Sequence, residues 1–82
     1  MQNLGKKSQE WLRAVGIETL EQVEEWGVVE SYLRVKAAFP RHVTRNLLWG
    51  LQGAIMGLKW DQIPEDIRSS LLAEVEEREA KI

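Results

Sequence analysis

Eighty-two residues with a formal net charge of −2 give room for one core and argue against the strongly basic surface of a general nucleic-acid binder. The absence of cysteine excludes a disulfide framework and thiolate metal sites, which suits a reducing, cytoplasmic setting. No apolar run reaches membrane-spanning length and no basic-then-apolar leader opens the chain, so the composition describes a soluble protein with no membrane partner.

The stretch Asn3-Leu4-Gly5-Lys6-Lys7-Ser8 opens the chain as a turn running straight into a helix. Gly5 is expected to use backbone angles closed to other residues there, leaving the first helical amides free at the helix N-terminus. Such an end attracts anions, and Lys6 and Lys7 add positive charge beside it, so a phosphate oxygen of a DNA backbone is the natural ligand. The helix is expected from Lys6 to about Val15, with Trp11, Leu12 and Val15 inward and Gly16 as its stop. Ile17 returns to the core. Thr19 and Gln22 have capping-box spacing for a second helix, which buries Leu20, Val23 and Trp26 and ends at Gly27. Its outer side is acidic, with Glu21, Glu24 and Glu25, and is poorly suited to approach DNA.

A third helix, about Val28 to Phe39, carries Val29, Tyr32, Leu33 and Lys36 at helical spacing, and Pro40 closes it. Arg34 and Lys36 near its end complement the helix dipole by default. From Glu18 to Glu30 every charge is acidic, whereas Arg34, Lys36, Arg41 and Arg45 are basic with His42 among them. The fold is therefore expected to separate a positive from a negative face. Thr44 caps a fourth helix whose period, Leu47, Leu48, Leu51, Ala54, Ile55 and Leu58, makes it the expected centre of the core. Gly50, Gly53 and Gly57 each cost a helix about 1 kcal/mol relative to alanine, so a groove for a close neighbour is expected to compensate. After the turn Trp60-Asp61-Gln62-Ile63-Pro64, a final helix carries Glu65 and Asp66 in its first turn and an apolar stripe of Ile63, Ile67, Leu71, Leu72 and Val75. Beyond Val75 the apolar face stops, and residues 76–82 are expected to fray. The whole reads as a single all-α domain, residues 1–82, of about five helices with a turn at residues 1–5.

Nothing in the sequence assembles a catalytic group. His42 stands alone in an exposed loop, Ser8 has no visible base and is assigned to hydrogen bonding in the first helical turn, and Glu65 and Asp66 face different directions on a helix. The expectation is a protein that is no enzyme and needs no cofactor or metal. The four tryptophans, Trp11, Trp26, Trp49 and Trp60, occupy core-facing spacings without interleaved basic residues, so core packing is expected for them, with at most one partly exposed at a partner surface.

The opening stretch resembles the hairpin and second helix of a helix-hairpin-helix element. Over a longer span the chain resembles the C-terminal domain of the TfoX/Sxy competence-regulator family, through Asn3-Leu4-Gly5, Lys7-Ser8, Trp11-Leu12, Val15-Gly16-Ile17, Thr19-Leu20-Glu21-Gln22 and Trp26-Gly27-Val28-Val29-Glu30. Asn46-Leu47-Leu48-Trp49, Leu51-Gln52-Gly53-Ala54 and Gly57-Leu58-Lys59-Trp60 continue the likeness. The resemblance implies a non-enzymatic bacterial regulator of natural-competence genes, in some members working with the cyclic-AMP receptor protein. It also implies that an α/β domain usually precedes this one. Phe39-Pro40-Arg41-His42-Val43 departs from the family pattern.

Two mechanisms follow. In one, the amides and side chains of Gly5, Lys6, Lys7 and Ser8, with Arg41 and Arg45, hold a DNA backbone without reading sequence. In the other, the chain is a protein-protein interaction module of a transcription regulator with no direct DNA binding, its partner another regulator or the transcription machinery. A self-associating domain, with an exposed apolar patch at Leu58 or Trp60, is a third class. The oligomeric state is left open.

Overall fold

The structure is a computed structural model in which residues 4–81 are described; the part of the expected opening turn at residues 1–3 and the last residue, Ile82, lie outside them. Five α-helices follow one another: α1 (Lys6–Ala14), α2 (Leu20–Trp26), α3 (Val28–Ala38), α4 (Arg45–Met56) and α5 (Glu65–Ala80), with a 3-10 turn, Trp60–Gln62, between the last two. No strand occurs among the described residues, so the all-α reading holds.

Local chemistry sets most of the boundaries. Past α1 the chain reverses at Gly16, whose φ of +88° belongs to the region that favours glycine, and the amide of Ile17 donates back to the Leu12 carbonyl at 2.9 Å. Ile17 is thereby turned into the core. The capping box forms as its spacing predicts: Thr19 Oγ1 accepts from the Gln22 amide at 3.2 Å, and Gln22 Oε1 accepts from the Thr19 amide at 3.0 Å. A single residue, Gly27, joins α2 to α3 with φ +91° and ψ 149°, a combination almost confined to glycine. Thr44 caps α4 by accepting from the Asn46 amide at 3.3 Å. Gly57, at φ +71°, is the left-handed cap after α4 and lies outside the helix, so only Gly50 and Gly53 bear the helix cost, and both are buried.

Packing is shared between two helices. α4 is the most deeply buried, with Leu48 and Leu51 closed to solvent. Yet α3 packs against each of the other four helices, so the hub lies there as much as in α4. Tyr32, Val35 and Ser31 of α3 have almost no accessible surface, and the Ser31 hydroxyl donates to the Gly27 carbonyl at 2.8 Å. Burial without a partner would have penalised that hydroxyl.

The chain beyond Val75, expected to fray, continues as helix to Ala80. Its missing apolar face is replaced by ion pairs to α3: Arg78 with Glu30, and Lys36 Nζ with Glu79 at 2.6 Å. Glu30 also accepts from Arg34 Nε at 2.8 Å. Hydrogen bonding from Arg78, reinforced by Arg34, holds the Glu30 carboxyl below the ordinary glutamate range, and the bond to Glu79 holds Lys36 above the ordinary lysine range.

Two consequences are measurable. No atom lies within 4 Å of where a Gly27 Cβ would stand, so Gly27→Ala loses stability through backbone strain alone, by about 1–3 kcal/mol in urea denaturation. A lowered carboxyl pKa stabilises the fold above the unfolded value, about 4.3, and that contribution disappears as pH falls through the folded value. Glu30→Gln is accordingly less stable near neutrality by on the order of 1 kcal/mol, and its melting temperature falls less than the wild type's between about pH 5 and pH 3.

Candidate nucleic-acid interface

α1 begins at Gly5 with φ −68° and ψ 170°, extended backbone open to any residue. The positive φ expected of Gly5 is therefore not used. What glycine contributes is the missing side chain: nothing lies within 4 Å of its Cβ position, and no side chain caps the helix. Leu4, 7% exposed, anchors the entry, and Gln9 Nε2 donates to its carbonyl at 2.9 Å. The amides of Lys6, Lys7 and Ser8 find no acceptor among the described residues, and no acid stands in the first turn. The Ser8 hydroxyl, assigned from the sequence to hydrogen bonding in that turn, makes no hydrogen bond among the described residues.

The other helix starts differ. Side chains cap α2 and α4, while Glu30 stands in the first turn of α3 and Glu65 and Asp66 in that of α5. α2, which follows the turn at residues 15–19, has an acidic outer side, and its start is closed by the capping box of Thr19 and Gln22. The start of α1 thus combines open amides with an acid-free first turn, which is where the helix dipole favours an anion.

Beside it the chain leaves a cleft of about 340 Å³. Leu4, Trp11 and Leu47 supply its apolar wall, and Ser8, His42, Thr44 and Asn46 its polar one. Trp60 completes it. At 48% exposure, Trp60 is the one tryptophan left open to solvent, within the expectation that at most one would be. Trp49 is buried beneath Arg68, Trp26 is half-buried with Arg34 at 3.7 Å from its ring centre, and Trp11 is half-buried beside Phe39. Arg68 also donates to the Trp60 carbonyl at 3.2 Å, tying the 3-10 turn to α5.

The six residues assigned to phosphate contact from the sequence fall in different places. Ser8 lines the cleft, and Gly5 stands three residues before it at the start of α1. One helical turn separates Lys7 from Trp11, which puts Lys7 toward the cleft side of α1. Lys6 shares instead a shallow hollow with Gln9, Glu10 and Arg13. Arg41 is exposed in a neighbouring hollow that shares His42 with the cleft. Arg45, the first residue of α4, stands near enough to Lys36 to oppose its charge, and so leans toward α3. Among the described residues, Lys6, Lys7, Arg13, Arg41, Arg45 and Lys59 form no ion pair, whereas Arg34, Lys36, Arg78 and Lys81 are engaged with acids. Of the polar residues that line the cleft, only Ser8 is among the six assigned from the sequence; Asn46 is not, because distant segments form the cleft.

No group of His, Asp or Glu that could hold a metal ion occurs among the described residues, and no helix among them is long and apolar enough to cross a membrane. The arrangement is that of a small all-α domain with an open cleft beside the start of its first helix. Residues 1–75 match the family described as the TfoX C-terminal domain. The chain belongs to that family. No curated protein and no solved structure matches it significantly.

Proposed function

We propose that this domain grips a nucleic-acid backbone through the start of α1, as the contact module of a bacterial transcription regulator acting in competence control. The observation that carries this is the uncapped, acid-free N-terminus of α1 with Lys7 beside it. An oxyanion there satisfies amides that otherwise face solvent, and Arg41 and Lys59 extend the positive rim. The contact is to phosphate and carries no sequence information of its own. Chemistry on the bound strand forms no part of the role, and the protein works in the cytoplasm where its DNA lies.

A second reading draws on the exposed Glu18, Glu21, Glu24 and Glu25, which give α2 an acidic outer face suited to a basic protein partner. The two faces are compatible: one domain can hold DNA on α1 and a regulator on α2. They differ in what they make of Gly5.

Fluorescence anisotropy with labelled duplex DNA at several salt concentrations separates them. Gly5→Asp supplies the missing cap and fills the anion site with its own carboxylate, so it raises stability by about 0.5 kcal/mol while abolishing duplex binding. A binding loss accompanied by a stability gain cannot be misfolding. Lys7→Glu weakens binding and lowers the salt slope by about one, and Lys6→Glu does less of both. Duplex binding that survives Gly5→Asp, or no binding at low salt, overturns the DNA reading and leaves the acidic face of α2 as the contact surface.

A further inference from the structure

Building on the phosphate-contact reading, we infer that the cleft between α1, the start of α4 and the 3-10 turn takes an unpaired nucleobase, stacked on Trp60, so that the domain prefers single-stranded over fully paired nucleic acid. The cleft is about 340 Å³, of a size for one nucleoside, and it mixes an apolar wall with Ser8, His42, Thr44 and Asn46. That is the chemistry of a base: a flat face to cover and polar edges to satisfy. Asn46 carries both a donor and an acceptor on its side-chain amide, and His42 adds ring nitrogens at the same wall.

Trp60 is the feature that duplex binding leaves unexplained. A tryptophan half open to water forgoes much of the burial its large apolar surface offers, and here it borders a cleft rather than the core. Its position is fixed from behind by the Arg68 bond to its carbonyl, so the ring is presented on a tethered turn. The exposed cations Lys7, Arg41 and Lys59 are each adjacent in the chain to a residue lining the cleft, namely Ser8, His42 and Trp60. An aromatic face with unpaired cations on neighbouring residues is the arrangement by which single strands are held: phosphates on the charges, bases on the ring. Those cations also disfavour a second copy of this chain as the occupant. A twofold contact centred on Trp60 would set the same rim against itself, bringing like charges together.

The test uses the full chain and three labelled probes of about 12 nucleotides: an oligothymidylate, the same strand with every base replaced by an abasic tetrahydrofuran, and a duplex. The oligothymidylate binds about tenfold or more tighter than the abasic strand, Trp60→Ala removes that difference, and Trp60→Phe keeps most of it, with circular dichroism showing both variants folded. Equal binding of the two single strands, or an unchanged difference in Trp60→Ala, overturns the base site. In that case duplex and abasic binding that still depends on Gly5 leaves the phosphate reading standing. Loss of all three interactions at low salt overturns both. A wild-type dimer in sedimentation that Trp60→Ala converts to monomer assigns the ring to self-association and likewise overturns the base site.

Discussion

Tyr32 and Val35 are closed off from solvent in α3, the helix that meets all four of the others. The direction of α3 relative to α2 is set by the backbone of Gly27, and its register against α5 by Glu30, which holds Arg34 on its own helix and Arg78 across the interface. The organisation of charge follows from this packing. Glu30 and Lys36 of α3 face Arg78 and Glu79 of α5 and are engaged in holding the two helices together. Among the described residues, the cations of α1, the loop after α3, the start of α4 and Lys59 form no ion pair.

That separation resolves the difficulty raised by the net charge of −2. Net charge describes the far field, and at physiological ionic strength the field decays over about 8 Å. Within that range a ligand senses only the side it approaches. The acids of α2 lie on its exposed outer face, and those of α5 that pair are turned to α3, while the start of α1 presents amide hydrogens and lysine. A phosphate chain meeting this edge meets a locally positive surface on a protein that is acidic as a whole. On the proposed reading the attraction is short-ranged and acts only once a phosphate lies close to this edge.

Much of the fold was legible because its signals are local. Thr19 and Gln22 specify their capping box within four residues, Gly16 and Gly27 mark the ends of α1 and α2, and the period of Leu47, Leu48 and Leu51 is that of a buried helix face. The misreadings arose where the deciding partner is distant. Residues beyond Val75 lack an apolar stripe, and only the contacts from Lys36 and Glu30, 43 and 48 residues away in the chain, explain why they remain helical. Trp60 has the spacing of a core residue, but the turn carrying it stands at the edge of the packed helices. Gly5 is expected to need a positive φ, yet its backbone is extended and open space stands where a Cβ would lie, so neither conformation nor sterics demands glycine there.

The proposed binding edge shows the same dependence on distance. Ser8, His42 and Asn46, which line the cleft with Trp60, carry little information singly, since each is an ordinary surface residue type in its own segment. Their meeting depends on α1 packing against α3 and on the 3-10 turn packing against α4, and the core residues Leu4 and Leu47 also line the cleft. Arg68 sits at the joint of this arrangement, its guanidinium over the buried Trp49 and bonded to the carbonyl of the exposed Trp60. One arginine thus links a tryptophan that belongs to the core with one that does not. A guanidinium plane can cover an aromatic face while its edge still donates to a carbonyl, whereas a lysine in its place would supply the charge without the second contact. The core fixes Trp49, Trp49 and α5 fix Arg68, and Arg68 fixes the turn that presents Trp60, which is how packing inside a domain of this size determines the chemistry at its surface.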